Sequence, residues 1–243
     1  MCRTFRAWTV AAALILCLSP SGCSTKLSLQ KNLSEADLFA RGQQSEQRKK
    51  YADAAEAFRL LVERHPNSSL APQSQFSLAS NLMRIRENAE AETAFDDFMR
   101  LYPADPKVAD ALLLKGDLLH QQIMPPGRSQ DKTRECITTY KLFLEKENDT
   151  PRAQAAALRV KELRAHLLRN EEQVISHLLS RKKFDSAELR AKRAMEEYPD
   201  AAPTANLLSM LAKALKQQDK NDEAEKVLKI LDEKFHNDGS KRQ

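Results

Sequence analysis

Residues 51–66 read YADAAEAFRLLVERHP, and the spacing of their residue types predicts the architecture of most of the chain. Small Ala54 stands three residues after Tyr51. Phe58 follows four residues later, and Pro66 comes eight residues further on. Offsets of three and seven place side chains on one face of an α-helix, and a small residue there lets a neighbouring helix approach closely. Because proline cannot continue a helix, Pro66 ends the segment.

The same spacing occurs five times, and each occurrence follows a second amphipathic stretch. Successive first positions are 37, 45, 51 and 37 residues apart, a range typical of helical-hairpin repeats. We therefore predict an all-α fold, a right-handed solenoid of five helical hairpins similar to tetratricopeptide repeats, whose stacking forms a groove. The five sets are Tyr51, Ala54, Phe58, Pro66; Asn88, Ala91, Phe95, Pro103; Thr133, Cys136, Tyr140, Asn148; Phe184, Ala187, Ala191, Pro199; and Asn221, Ala224, Leu228, His236. The leading stretches are residues 34–48, 69–86, 105–121, 151–182 and 201–218.

Two inserts account for the longer spacings. Repeat three gains eight residues, and Met124-Pro125-Pro126-Gly127 interrupts any helix there, which predicts a loop between its two helices. Repeat four gains fourteen residues, which is about four helical turns. Neither glycine nor proline occurs from Arg152 to Tyr198, so we expect a longer leading helix in this repeat.

Local signals at the helix starts agree with this periodicity. Ser34, with Glu35 and Asp37 after it, is typical of an N-cap followed by acidic residues in the first turn. Pro106 and Pro151 are expected in the first turns of their helices, where proline is tolerated. The chain between Ser24 and Asp238 contains too few glycines for a strand-and-turn protein. They are Gly42, Gly116 and Gly127.

The first 23 residues have the pattern of a secretory signal. Arg3 and Arg6 precede an apolar run of about a dozen residues, which is short of the roughly 20 that a membrane-spanning helix needs. The following Ser-Pro-Ser-Gly-Cys segment resembles a bacterial lipobox, which makes residues 1–22 a lipoprotein signal peptide and Cys23 the lipidated first residue of the mature protein. Pro20 stands where such motifs usually carry leucine, so cleavage by ordinary signal peptidase stays open. Ser24 after the cysteine favours the outer membrane, on its periplasmic face.

Cysteine usage and charge limit the classes of partner. Removal of the signal segment discards Cys2 and Cys17, and acylation consumes Cys23, so Cys136 is left without an intramolecular disulfide partner. The formal net charge falls from +5 to +3, because the segment holds two arginines and no acidic residue. The remaining charges are mixed in sign along the chain, which does not indicate nucleic-acid binding.

No pattern of residues indicates catalysis. The chain has no glycine-rich phosphate loop, no Gly-x-Ser-x-Gly and no His-Glu-x-x-His, and its five histidines lack metal-ligand spacing. Cys136 occupies the small-residue position of repeat three, so we expect a helix contact rather than a nucleophile. We predict no catalytic residue, no metal and no cofactor. The charged runs Glu171-Glu172 and Arg181-Lys182-Lys183 are expected to be solvated faces.

A signal with a lipobox followed by five such hairpins resembles the BamD family, also called ComL or YfiO, of outer-membrane protein assembly lipoproteins. Leu101–Pro106 is similar to the family's second-repeat Tyr-Pro segment, and Ala155–Leu179 to its long fourth-repeat helix. Arg190 and Tyr198-Pro199 stand at the family's arginine and Tyr-Pro positions. The chain departs from the family at Asp105, at Asn148 and in the absence of paired aromatic residues near 177–179.

The resemblance implies a non-enzymatic subunit of the barrel assembly machinery. After a lipidated linker over residues 23–33, repeats 34–148 would receive unfolded outer-membrane protein precursors and repeats 149–238 would hold the barrel insertase BamA. Arg190 would meet an acidic residue of the insertase. Other assembly lipoproteins are expected as partners, and the membrane only through the N-terminal lipid. In the first hairpins, candidates for lining the precursor groove are Phe39, Gln43, Tyr51 and Phe76.

Two other functions compete with this one. Another periplasmic tetratricopeptide protein, such as the cell-division coordinator associated with the Tol-Pal system, would have similar spacing. That protein type carries an N-terminal coiled coil, whereas the ten residues between Cys23 and Ser34 contain no heptads. An enzyme that uses the repeats as a docking arm would need a second domain outside residues 34–236, and we expect none in this chain.

Overall fold

The computed structural model describes residues 33–201 and 203–235, which belong to one compact unit that begins at Leu33. All regular secondary structure in these residues is helical, which confirms the predicted all-α fold. The signal segment, Cys23 and most of the linker lie outside the described residues, as does His236. The helices are α1 Glu35–Gln47, α2 Tyr51–Arg64, α3 Ala71–Arg84, α4 Asn88–Leu101, α5 Val108–His120, α6 Asp131–Lys146, α7 Pro151–Ser180, α8 Phe184–Glu197, α9 Ala205–Lys216 and α10 Asn221–Phe235.

Each helix packs against the one before it, so that five hairpins stack in chain order. The second helices of four hairpins begin at the predicted first positions, Tyr51, Asn88, Phe184 and Asn221. In the third hairpin α6 begins at Asp131, two residues before Thr133. The predicted insert is confirmed as a loop between α5 and α6, and α7 is the long helix, with 30 residues.

The small-residue position of every repeat is fully buried, with an exposed fraction of 0% in all five cases. Cys136 occupies it in the third hairpin, where its Sγ donates to the Gly116 carbonyl oxygen at 3.3 Å. Burial raises the pKa of this thiol to about 12, which leaves no reactive thiolate near neutral pH. These contacts agree with the helix-contact role predicted for Cys136. The other members are Ala54, Ala91, Ala187 and Ala224.

One pair of facing residues fixes how closely the two helices of a hairpin approach. A Cβ on Gly42 would lie 2.6 Å from the ring of Phe58, and one on Gly116 would lie 2.5 Å from the ring of Tyr140. Both aromatic rings are fully buried, so the first helix must carry a residue without a side chain there. The equivalent pairs in the other hairpins also combine a small with a larger residue. They are Ala79 and Phe95, Ile175 and Ala191, and Ala212 and Leu228.

Four hairpins reverse direction through the same tight turn. One residue of each turn has a positive φ of 57–65°. The backbone N–H of the residue after it donates to the carbonyl oxygen of the residue five positions before that donor, at 2.8–3.1 Å. This is the Schellman ending of a helix, in which glycine is the usual residue. Here each of these positions holds a residue with a side chain, which makes the left-handed conformation sterically unfavourable. The residues are Lys49, Arg86, Lys182 and Asp219.

The helix starts follow their capping residues, with one correction. Ser34 forms a capping box with Asp37 and Pro151 lies in the first turn of α7, as expected, and the Thr150 hydroxyl caps that helix. Pro106 is not in a first helical turn, because α5 begins only at Val108. The backbone N–H of Val108 donates to the Asp105 carbonyl at 3.0 Å, so a turn precedes the helix and contains the proline.

Polar clusters join neighbouring hairpins around two glutamates, half-buried Glu92 and buried Glu188. The Glu92 carboxylate accepts from Gln122 and Lys132, both at 2.6 Å. Glu188 accepts from Gln218 at 3.0 Å, from Lys220 at 2.8 Å and from Lys192 at 2.7 Å. Hydrogen bonds from the two ammonium groups lower the pKa of Glu188 to about 2. The charged form of Glu188 therefore stabilises the packing of α8 on the last hairpin.

Replacement of Gly42 by alanine should lower the free energy of unfolding by about 1–3 kcal/mol, the usual cost of overpacking a core. Helix propensity alone would raise the free energy of unfolding by roughly 0.5–1 kcal/mol. The sign of the measured change therefore distinguishes overpacking from helix propensity. Urea denaturation measures it, with exposed Ser176→Ala as control. Phe58→Leu should cost less stability in the Gly42→Ala background than in the wild type, because the smaller side chain makes room for the new methyl group. Stabilisation by Gly42→Ala would contradict the close approach.

Glu188→Gln should lower stability by about 1–2 kcal/mol at pH 7, after allowance for the partly exposed lysines. The folded-state pKa of Glu188 is depressed, so its contribution is fully present above the unfolded pKa of about 4.3 and is lost as pH falls towards about 2. The difference between wild type and variant should therefore disappear across this window in thermal melts. Exposed Glu145→Gln is the control, and a difference that does not change with pH would sink the assignment.

Candidate functional site

A row of half-buried apolar side chains runs along the first helices of hairpins one to three. It consists of Phe39, Phe76 and Leu113, which occupy the same position in α1, α3 and α5. We call it the apolar row. In α7 and α9 the same position holds polar residues, Glu172 and Ser209. The side chains at this position thus change from apolar to polar between the third and fourth hairpins, so the apolar row ends at Leu113.

The two aromatic members of the row are held by the core beneath them. The ring of Phe39 meets that of Phe58 edge-on, with centroids 5.9 Å apart. Phe76 packs in the same way on Phe98 at 5.5 Å, and the Lys107 ammonium lies 5.0 Å from its centroid. Because both rings are only partly buried, each has one side in the core and one towards solvent.

The other two candidates for the precursor groove have different surroundings. Gln43 is exposed, lies one turn after Phe39 on α1 and makes no side-chain hydrogen bond to any described residue. Tyr51 begins α2, where its ring lies 5.1 Å beneath the guanidinium of Arg84 at the end of α3. The structure therefore places Phe39, Gln43 and Phe76 along the first helices, and Tyr51 apart from them at a hairpin turn.

The expectation that Glu171 and Glu172 are solvated is wrong, since both are more than nine-tenths buried. The Glu172 carboxylate accepts from the Thr204 hydroxyl and from Asn206 Nδ2, the latter at 3.1 Å. Its neighbour Glu171 is paired with an arginine. The physical reason is that α8 and α9 both pack on this part of α7 and supply donors to carboxylates that would otherwise face water.

Arg190 forms a two-pronged ion pair with Glu171. Its Nε lies 2.5 Å from Glu171 Oε2, and its Nη2 lies 3.2 Å from Oε1. The carboxylate side chain is 11% exposed, whereas that of the arginine is 43% exposed. Nη1 makes no hydrogen bond to the described residues, so the guanidinium keeps donors that face outward.

Arg190 lines an open cleft of about 480 Å³ between α6, α7 and α8. We call it the arginine cleft. It combines three arginines with apolar side chains, of which Leu189 is 53% exposed. Its lining residues are Arg134, Glu171, Leu178, Ser186, Leu189, Arg190, Arg193, Ala194 and Glu197.

A related groove of about 450 Å³ lies between α2, α3 and α4, but its charge is different. There the Arg59 guanidinium bridges to Glu90 at 2.6 Å, and the other charged lining residues, Glu63 and Asp97, are acidic. The positions equivalent to Leu189 and Arg193 hold Thr93 and Asp97. The groove at α4 therefore lacks the basic and apolar character of the cleft at α8.

The sequence analysis named Arg190 as a candidate contact but did not indicate Glu171, its ion-pair partner in the chain. The contact between the two helices can be found by comparing repeats. Gln75 and Ala94 stand at the positions equivalent to Glu171 and Arg190, and both pairs are 19 residues apart. The Gln75 amide donates to the Ala94 carbonyl at 3.0 Å, so this position joins the two helices in both hairpins. Leu189 was also missed, although it lies two residues from both Ala187 and Ala191 and therefore off the buried face of α8.

The described part of the chain has no cluster of metal ligands and no membrane-spanning helix. No group of three or more histidine, cysteine, aspartate or glutamate side chains there is arranged to hold a metal ion. Over the same residues, no helix combines the length and apolar character needed to cross a membrane.

A family model described as outer membrane lipoprotein, YfiO, matches residues 31–230. The Rickettsia prowazekii (strain Madrid E) protein named outer membrane protein assembly factor BamD is 24% identical, over 94% of this chain and 91% of its own. A Neisseria meningitidis serogroup B protein of the same name is 27% identical, over 90% and 88%.

Solved structures give weaker likenesses. The tetratricopeptide domain of P58(IPK) is 13% identical with a TM-score of 0.46, over 84% of this chain and 61% of that one. The pilus biogenesis factor PilW is 17% identical with a TM-score of 0.39, over 83% and 78%. At these scores neither structure adds to the sequence match.

Proposed function

Because the chain belongs to the YfiO family of outer membrane lipoproteins, we propose that it is a non-enzymatic binding subunit of the machinery that assembles barrel proteins into the outer membrane. The observation that carries this proposal is the family match over residues 31–230, which spans nearly all the described hairpins. Relatives from several bacteria are named as outer membrane protein assembly factors. The physical features of two surfaces support separate binding roles.

The first three hairpins, residues 34–148, are the side that receives unfolded precursors. Its support is the apolar row, in which Phe39 and Phe76 offer partly exposed rings at a fixed repeat spacing. An extended segment that carries an aromatic residue could lie against such rings, with Gln43 able to bond its backbone. Tyr51 at the hairpin turn would extend this surface. Hairpins four and five are polar at the same position and would have less affinity for apolar segments.

The remaining hairpins, residues 149–238, are the side that holds the barrel insertase, with Arg190 as a contact. Glu171 occupies Nε and one N–H of Nη2, and the outward-facing donors remain for a carboxylate of the insertase. The ion pair also fixes the guanidinium before binding, which reduces the entropy lost on association. Other assembly lipoproteins would join the same complex.

The N-terminal part would anchor the subunit. Cleavage before Cys23 and acylation of its thiol and amino group would hold the chain at the periplasmic face of the outer membrane, with residues 23–33 as the linker. Each buried methylene of an acyl chain contributes about 0.8 kcal/mol, so three chains would make the anchor effectively permanent. The membrane would then be contacted through the lipid alone.

Affinity purification of the tagged full chain from its own envelope membranes should recover a barrel insertase as the main partner. Mass spectrometry should also find triacylated Cys23 at the N-terminus. The double variant Glu171→Gln/Arg190→Gln, which replaces the ion pair by two amides, should recover about tenfold less insertase, since a charge-assisted contact is lost. Glu171→Gln alone keeps the arginine and is the matched control. Recovery of Tol-Pal components with a free N-terminus would contradict the proposal.

A photo-crosslinking residue at Gln43 should capture a peptide that corresponds to the C-terminal strand of a barrel protein from the same bacterium. Gln43 is exposed and has no described hydrogen-bond partner, so its replacement leaves the fold intact. The same residue at Ser176 is the control, because Ser176 is exposed at the equivalent position of α7. Equal capture at the two positions would remove the assignment of the precursor side to the first hairpins.

A further inference from the structure

We infer that the arginine cleft binds an acidic segment of the insertase in which one apolar side chain is flanked by carboxylates. Arg134 and Arg193 would bind the carboxylates, and Leu189 would contact the apolar side chain. This inference rests on the proposed docking of the insertase at Arg190 and adds the chemistry of the docking segment.

The two arginines on the walls of the cleft have unused charge. Arg134 on α6 and Arg193 on α8 are both exposed, and neither side chain forms an ion pair or hydrogen bond with any residue that the structure describes. Three arginines on α7 behave differently, since Arg152 pairs with Glu147, Arg159 with Asp117 and Arg164 with Asp200 inside the chain. The guanidinium groups on the cleft walls can therefore bind a carboxylate without breaking a contact.

Arg190 is less able to serve as the main ligand, because Glu171 depends on it. The Glu171 side chain is 11% exposed and has no other hydrogen-bond donor among the described residues. Removing the arginine would leave a buried carboxylate unpaired, which is strongly unfavourable. Arg190 therefore stays on Glu171 and forms the base of the cleft, so the stronger contacts of an acidic segment fall to Arg134 and Arg193.

The rest of the lining selects against other segments. Leu189 is 53% exposed next to half-buried Leu178, which offers an apolar surface between the guanidinium groups. Of the two acidic lining residues, Glu171 is paired, and Glu197 accepts the Tyr198 hydroxyl at 2.7 Å. A basic segment would meet two unpaired guanidinium groups and is disfavoured by repulsion. The equivalent groove at α4 has aspartate in place of Arg193, so the same segment should not bind there.

The test measures binding of the full-length chain to the purified periplasmic region of the insertase from the same bacterium, at low and high salt. Arg134→Glu/Arg193→Glu should weaken binding by about 30-fold or more and flatten its salt dependence, since two charge contacts become repulsive. Lys141→Glu/Arg169→Glu, on exposed positions of α6 and α7 outside the cleft, makes the same change in net charge and should have little effect. Leu189→Ala should weaken binding by about fivefold through lost apolar contact.

The outcomes separate this inference from the proposed function. If the cleft variant binds like its control while Glu171→Gln/Arg190→Gln weakens binding, the insertase docks at Arg190 by other chemistry and the inference is overturned. If no variant changes binding, or if wild type does not bind, both proposals fall. Unchanged melting temperatures would show that a loss of binding does not come from unfolding.

Discussion

In the first and third hairpins the distance between the two helices is limited by one pair of facing residues, and the stacking of the hairpins depends on how closely their helices approach. In the first and third hairpins the second helix carries a large aromatic side chain, Phe58 or Tyr140, and the first helix has glycine, whereas the second hairpin pairs Phe95 with Ala79. In the fourth hairpin the sizes are exchanged, with Ile175 on the first helix and Ala191 on the second. The combined volume of the two facing side chains is therefore similar where the helices of a hairpin cross. Inserts elsewhere in a hairpin are tolerated because they leave this crossing unchanged.

Helix positions and the repeat could be predicted from sequence because they rest on periodic burial. Four of the five second helices begin at the predicted residue. The hairpin turns could not be predicted in detail, since Lys49, Arg86, Lys182 and Asp219 stand where glycine is the usual indicator. Pro106 misled because proline is compatible both with a first helical turn and with the turn before it.

The candidate sites were less predictable, because they depend on contacts between repeats. Periodicity shows which face of a helix is buried, but it does not show which neighbour supplies a donor. Glu171 and Glu172 look like a solvated pair in the sequence, whereas α8 and α9 cover them in the structure. Arg190 stood out only by resemblance to a family. The apolar row and the arginine cleft use different helices, so occupation of one does not require the other to be empty.

The length of α7 has a mechanical consequence. Thirty residues at 1.5 Å each make an α-helix of about 45 Å, and α7 contacts α6, α8, α9 and the loop before α6. The backbone N–H of Gly127 in that loop donates to Asn170 at 2.8 Å, and the adjacent Glu171 and Glu172 bind α8 and the start of α9. A force applied to the last two hairpins is therefore transmitted through α7 to the loop between α5 and α6. Elastic bending of the described hairpins should be concentrated among the short helices that precede it.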